Sequence, residues 1–280
     1  MIRRILVALG SPVSLAAEVE HALELADRYG AELTGVTIVD TQAITAVGPV
    51  PLGANAAATE LARHRSATAA AHIEAAVAAF DAACRQAKVR YQIQREERPD
   101  PFDRLISESR YHDLVICGLR GIFESGLVGT SAVESGEILA KLVGSGVRPL
   151  IAVGPQFRKV QRVMIAYSGS VESAKTMRQF IQLRPWREIQ LRICVFNHTP
   201  ERAARLLNSA DAYCRSHGYL AELLHIPGSP HDQILPAAHD WSADLLVLGN
   251  SARSLLLRRV LGETALRVMQ TSPLPLFMSQ

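Results

Sequence analysis

The chain has 280 residues, a length at which two domains of about 140 residues each are the natural starting point. Its 48% hydrophobic and 20% charged residues are those of a globular protein with cores to bury, which argues against disorder. The net charge of +3 comes from arginines scattered among acids, so the basic stripe of a nucleic-acid surface is missing, and no apolar run is long enough to span a membrane.

The sequence opens directly on a strand-like segment without a charged-then-apolar leader, and a cytoplasmic location is the expectation. Ile5-Leu6-Val7-Ala8-Leu9 is that strand, and it ends in the small residues Gly10-Ser11. Ser14 stands where it can cap a helix whose apolar face is Val19, Ala22, Leu23 and Ala26, and Gly30 closes that helix. Residues 40 to 68 are rich in Pro, Gly and Ala and read as a loop. An Ala-rich helical segment then ends at Cys84-Arg85 and leads into another strand-like run. Asp113-Leu114-Val115-Ile116-Cys117-Gly118 reads as a strand buried on both faces, and Pro149-Leu150-Ile151-Ala152-Val153 as a short final strand.

Three of these landmarks recur in the same order. The opening strand is matched by Val163-Met164-Ile165-Ala166-Tyr167-Ser168-Gly169-Ser170. Cys84-Arg85 is matched by Cys214-Arg215 at an offset of 130, and Asp113 to Gly118 by Asp244-Leu245-Leu246-Val247-Leu248-Gly249 at an offset of 131. The near-constant offset across unlike motifs identifies an internal repeat, with domains expected at residues 1–156 and 157–280.

The second copy shows the pattern most plainly. Strands are expected near 162–167, 188–196, 219–226, 243–248 and 274–278, and helices near 171–183, 199–217, 231–241 and 263–271. Gly218 closes the helix that carries Leu206, Leu207, Ala210 and Cys214. Continuous apolar strands alternating with helices predict an α/β protein made of two tandem, doubly wound parallel sheets.

Ligands of such sheets bind beyond the carboxyl ends of the strands, where the strand order reverses. In the second copy the fourth strand runs into Gly249-Asn250-Ser251-Ala252, and nine residues later Gly262-Glu263-Thr264 opens a helix. Backbone amides at a glycine-rich loop and a helix N-terminus suit a phosphate chain. In the first copy the matching stretch is Gly118-Leu119-Arg120-Gly121, with Gly129-Thr130 following after seven residues.

This arrangement resembles the ATP-binding members of the universal stress protein family, which carry Gly-x2-Gly-x9-Gly-(Ser/Thr) at this place. The resemblance covers essentially the whole chain, twice. It implies an adenine-nucleotide alpha hydrolase-like fold and a non-enzymatic role in a stress response, with at most weak ATP hydrolysis. It also implies that ATP or another adenine nucleotide is held by Ala166, Ser168, Gly249, Asn250, Ala252, Arg253, Gly262 and Thr264 in the second copy. Its counterparts in the first copy are Gly118, Gly121, Gly129 and Thr130.

Departures from the pattern are visible in both copies. Ala252 replaces the second Gly, Glu263 replaces the hydroxyl residue, and Thr264 stands one position late. The Asp with which the family ends its first strand is Ser168 in the second copy and is missing from the first. A carboxylate at Glu263 repels a phosphate chain, and Arg253, Arg258 and Arg259 can offset it.

Two other readings stay open. Ser168-Gly169-Ser170-Val171-Glu172-Ser173 is similar to the Ser-Gly-Gly-x-Asp-Ser loop of PP-loop ATP pyrophosphatases, which would make the protein an enzyme that releases pyrophosphate. A turn of small residues with Ser170 capping the next helix is the simpler account of the same stretch. The third reading is a protein interaction module without nucleotide.

Nine histidines show neither H-x-H nor H-E-x-x-H spacing, and His231-Asp232 and His239-Asp240 are expected at the surface, so no metal is predicted. The four cysteines lack C-x-x-C spacing and are expected to be reduced and buried. In the family the final strand of each domain pairs with its equivalent across a two-fold axis. The two copies are therefore expected to form a pseudo-dimer within one chain through a short link near residues 154 to 161, while dimerisation of the whole chain is left open.

Overall fold

In the computed structural model, residues 1–10, 13–37, 53–95, 101–118, 149–249 and 263–279 are described. Within them the first copy runs β1 (Arg4–Leu9), α1 (Leu15–Tyr29), β2 (Glu32–Thr37), α2 (Asn55–Ala87), β3 (Tyr91–Gln94), α3 (Pro101–Ser109), β4 (Leu114–Gly118) and β5 (Leu150–Val153). The second runs β6 (Arg162–Ala166), α4 (Val171–Leu183), β7 (Gln190–Phe196), α5 (Pro200–Ser216), β8 (Ala221–Ile226), α6 (Pro230–Asp240), β9 (Leu245–Gly249), α7 (Glu263–Thr271) and β10 (Leu276–Ser279).

These strands join in one sheet of order β3-β2-β1-β4-β5-β10-β9-β6-β7-β8. Neighbours within each copy are parallel, and the join between copies, β5 with β10, is antiparallel. Ile151 lies opposite Phe277 at that join, with Ala152 opposite Leu276 and Leu150 opposite Met278. Each copy thus covers the other's final apolar edge strand, as the sequence predicts. The strand order reverses between β1 and β4 and again between β6 and β9, which creates a crevice at the carboxyl end of each pair.

Side chains explain why the landmarks repeat. The Asp113 carboxylate accepts the amide hydrogens of Arg3 and Arg4 at 2.7 and 3.1 Å, and Asp244 accepts those of Gln161 and Arg162 at 3.0 and 2.8 Å. Each Asp therefore ties the start of the fourth strand to the start of the first. Cys84 and Cys214 are fully buried where α2 and α5 end against the sheet. All four cysteines are free and buried, and burial pushes the thiols of Cys84, Cys194 and Cys214 up to about 12.

Two apolar layers cover the sheet, and both run through both copies. One contains Ala22, Phe80, Phe180, Leu207 and Phe277, from α1, α2, α4, α5 and β10. The other contains Leu105, Ile234 and Val268, from α3, α6 and α7. Polar ties reinforce the first layer between the copies: Trp186 Nε1 donates to Glu24 Oε1 at 3.1 Å, and the Tyr29 hydroxyl donates to the Arg184 carbonyl.

Two expectations are corrected. Residues 55–68 belong to α2 and are not loop. Alanine favours helix strongly, but this half of α2 is exposed and shows no apolar stripe; the stripe begins at Ala69 and continues through Ala76, Val77, Phe80 and Cys84. Ser14 occupies the N-cap position of α1 but makes no side-chain cap bond; its hydroxyl instead donates to Glu18 Oε1 at 2.6 Å. Ser170, by contrast, caps α4 by accepting from the Ser173 amide at 3.2 Å.

Candidate functional site

The site is built at the carboxyl end of β6. Parallel pairing continues one residue past the strand, where the Tyr167 amide donates to the Cys194 carbonyl at 2.9 Å, and the chain then turns through Ser168 and Gly169. Gly169 has φ +73, and a Cβ there would lie 2.4 Å from Leu206 Cδ2. The left-handed backbone angle calls for glycine, and a side chain there would also displace Leu206.

The turn is stitched by hydroxyls. Ser168 Oγ lies 3.1 Å from Ser173 Oγ and accepts from the Ser170 amide at 3.3 Å, while Ser173 Oγ donates to the Ser170 carbonyl at 3.0 Å. The amides of Ser170 and Ser173 are therefore engaged within the turn.

Between this turn, β7, β9 and α7 opens a cleft with about 80 Å³ of inner space. Ser168 and Ser173 form its polar side, Phe196, Ile234 and Leu248 its apolar wall, and Gly249 and Thr264 its far end. No charged side chain lines it among the described residues. A polar rim with apolar walls suits a flat, mostly apolar ring carrying a polar tail.

Four of the expected second-copy site residues, Ala166, Ser168, Gly249 and Thr264, meet in this one cleft. A Cβ on Gly249 would lie 2.6 Å from Ser173 Cα, so this glycine lets the first turn of α4 press onto the end of β9. Asn250, Ala252, Arg253 and Gly262, with Gly121, Gly129 and Thr130 of the first copy, lie outside the described residues, as do Arg120, Arg258 and Arg259. Phe196 and Ile234 were not anticipated, and Ser173 only as the end of the pyrophosphatase-like stretch. The first two read as ordinary core positions, and the signal that could have found them is their place, at the end of β7 and in the first turns of α6.

Gly118, the counterpart of Gly249, meets different surroundings. A Cβ there would lie 1.9 Å from Ser14 Oγ and 2.4 Å from Glu18 Oε1. Glu18 is fully buried, and Oε2 has no hydrogen-bond partner. Burial pushes its carboxyl up to about 8, partly offset by the Ser14 hydroxyl.

On the surface of the second copy, Arg267 of α7 contacts His231 and Asp232 of α6, so His231-Asp232 is an exposed cluster, as expected. No group of three or more His, Cys, Asp or Glu among the described residues could hold a metal ion. No helix among them is long and apolar enough to cross a membrane.

Comparison with protein families matches the universal stress protein family at residues 1–141 and again at 159–279. The chain belongs to the universal stress protein family. A cyanobacterial relative, universal stress protein Slr1230 of Synechocystis, is 23% identical over 168 residues, which cover 58% of this chain and 56% of that protein. The chain thus spans little more than half the length of this relative.

Among solved structures, a universal stress protein from Archaeoglobus fulgidus superposes with a TM-score of 0.62 at 18% identity, covering 98% of this chain and 96% of its own. A functionally unknown protein from Pseudomonas aeruginosa PAO1 reaches 0.58 at 15% identity, covering 99% and 92%. These likenesses extend over both copies and establish the tandem α/β fold of the family.

Proposed function

We propose that this universal stress protein is a non-enzymatic stress-response protein that binds an adenine nucleotide in its second copy. The observation that carries the reading is the cleft at the end of β6 and β9, where Ser168, Ser173, Gly249 and Thr264 meet an apolar wall of Phe196, Ile234 and Leu248. The cleft lies at a switch point of the sheet, where ligands of doubly wound folds bind. Thr264, in the first turn of α7, stands where helix amides can receive phosphate.

In this reading Ala166 and Ser168 face the nucleoside, and Asn250, Ala252, Arg253 and Gly262 complete the phosphate end. The first-copy residues Gly118, Gly121, Gly129 and Thr130 are their degenerate counterparts. The two units divide between residues 156 and 157, work in the cytoplasm, and use neither nucleic acid nor membrane as partner. Internal engagement of the Ser170 and Ser173 amides supports a binding role over pyrophosphate chemistry.

Isothermal titration of the full chain with ATP and with AMP, followed by an assay for pyrophosphate, tests the reading. Binding that weakens at least tenfold in Thr264→Glu, with no pyrophosphate formed, is the expected result. Absence of binding to either nucleotide overturns it and leaves an interaction module. Pyrophosphate release abolished by Ser168→Ala would instead establish an enzyme.

A further inference from the structure

The two copies share a scaffold but treat the crevice differently, and the difference lies in one helix face. The buried positions of α4 are Ser173, Thr176, Met177, Phe180 and Ile181. At an offset of 155 they fall on Glu18, His21, Ala22, Leu25 and Ala26 of α1, all of them buried. Three of the five pairs keep an apolar residue, and the two nearest the crevice do not keep their chemistry. Where the second copy has the small hydroxyl residues Ser173 and Thr176, the first has Glu18 and His21.

Of these, Ser173 and Glu18 each pack at the end of the fourth strand of their copy. In the second copy the backbone of α4 at Ser173 closes directly on Gly249, and the short side chain leaves the cleft open beside it. In the first copy the space beside Gly118 is filled by Ser14 Oγ and Glu18 Oε1, which are hydrogen-bonded to each other at 2.6 Å. Both side chains are fully buried, so solvent does not reach the place that Ser173 lines in the other copy. Glu18 adds a steric and an electrostatic barrier: a neutral carboxyl occupies the volume, and an ionised one repels phosphate. The Ser14 hydroxyl holds it there.

Resting on the nucleotide reading of the second copy, we propose that Glu18 closes the first copy to adenine nucleotide, so that each chain takes up one nucleotide and takes it in the second copy. Glu18 is in this sense the residue that makes the tandem asymmetric: one half receives the ligand, and the other presents a sealed crevice of the same ancestry.

The test is the stoichiometry of ATP bound to the full chain, measured by equilibrium dialysis and calorimetry. Wild type is expected to bind one equivalent, Ser173→Glu to lose binding at least a hundredfold while keeping the wild-type circular-dichroism spectrum, and Glu18→Ser to gain a second, weaker equivalent. Two equivalents in wild type, or one equivalent retained in Ser173→Glu, overturn the proposal and leave the nucleotide reading intact. A folded Glu18→Ser chain that still binds one equivalent also overturns it, because the barrier then lies elsewhere. If wild type binds none, the nucleotide reading itself fails, and this proposal fails with it.

Discussion

Trp186 of the second copy donates its indole N–H to Oε1 of Glu24, in α1 of the first, at 3.1 Å. The indole is almost wholly buried, and the same carboxylate oxygen also receives Arg28 at 2.9 Å, so one acceptor links the helix to itself and to the other copy. Trp186→Phe keeps an aromatic ring but removes the donor. It should lower unfolding stability by about 1–3 kcal/mol, the usual cost of a lost buried hydrogen bond with imperfect repacking. Urea denaturation followed by circular dichroism measures the change, and an unaltered midpoint would show that the bond contributes nothing.

Phe277 sits opposite Ile151 at the antiparallel join and packs edge-on against Phe180, with ring centroids 5.2 Å apart. Because both apolar layers run through both copies, the join belongs to the core and is not a hinge. Phe277→Ala should cost about 3–5 kcal/mol. Calorimetry of the wild type should show a single transition covering both copies. Two separated transitions would mean that the copies are independently stable despite the shared sheet.

Much of this architecture was legible in the sequence because the repeat is carried by residues with fixed jobs. Asp113 and Asp244 cap the start of their sheets, and Cys84 and Cys214 fill equivalent core positions, so the offsets of 130 and 131 survived divergence. The first half of α2 was missed because an exposed Ala-rich helix has neither an apolar period nor a strand period to betray it. At the site, the family resemblance named Ser168, Gly249 and Thr264, and the structure brings the three to one cleft. Phe196 and Ile234 were not named, since an apolar residue lining a cleft looks like one lining a core until the chain is folded. Glu18 and His21 carry no signal in the sequence, because a polar residue beside apolar positions such as Val19 and Ala22 does not announce its burial, yet both are fully buried.

That burial has a pH signature. Glu18 is raised from 4.5 to about 8 by burial, so the folded protein holds this proton where the unfolded chain has released it, and stability falls as pH rises from about 4.5 to 8. His21 is lowered from 6.5 to about 4 by burial, so the unfolded chain binds the extra proton, and stability falls as pH drops from about 6.5 to 4. The two effects oppose each other between about 4.5 and 6.5 and act separately outside that window. Glu18→Gln should flatten the decline toward pH 8, and His21→Leu the decline toward pH 4, with slopes of at most about 1.4 kcal/mol per pH unit for each proton. Urea denaturation of the three proteins across this range is the measurement. A wild-type profile that climbs steadily to pH 8 would exclude the buried, protonated carboxyl.

Gly249 makes the final test, because fold and site pull on it together. A methyl group there would lie 2.6 Å from Ser173 Cα and 2.8 Å from the Ser173 backbone nitrogen, and helix backbone, unlike a flexible side-chain tip, cannot swing aside. Gly249→Ala must therefore push the first turn of α4 away from β9, at a cost of about 1–3 kcal/mol typical of overpacking. The same displacement carries Ser173, and with it the Ser168 turn bonded to its hydroxyl, away from the cleft. Loss of stability and weakening of ATP binding should thus appear together in Gly249→Ala. Ser168→Ala, which removes one hydroxyl and moves no helix, should stay within about 1 kcal/mol of wild type in stability. If Gly249→Ala melts as wild type, the end of β9 has room that the packing on Ser173 denies.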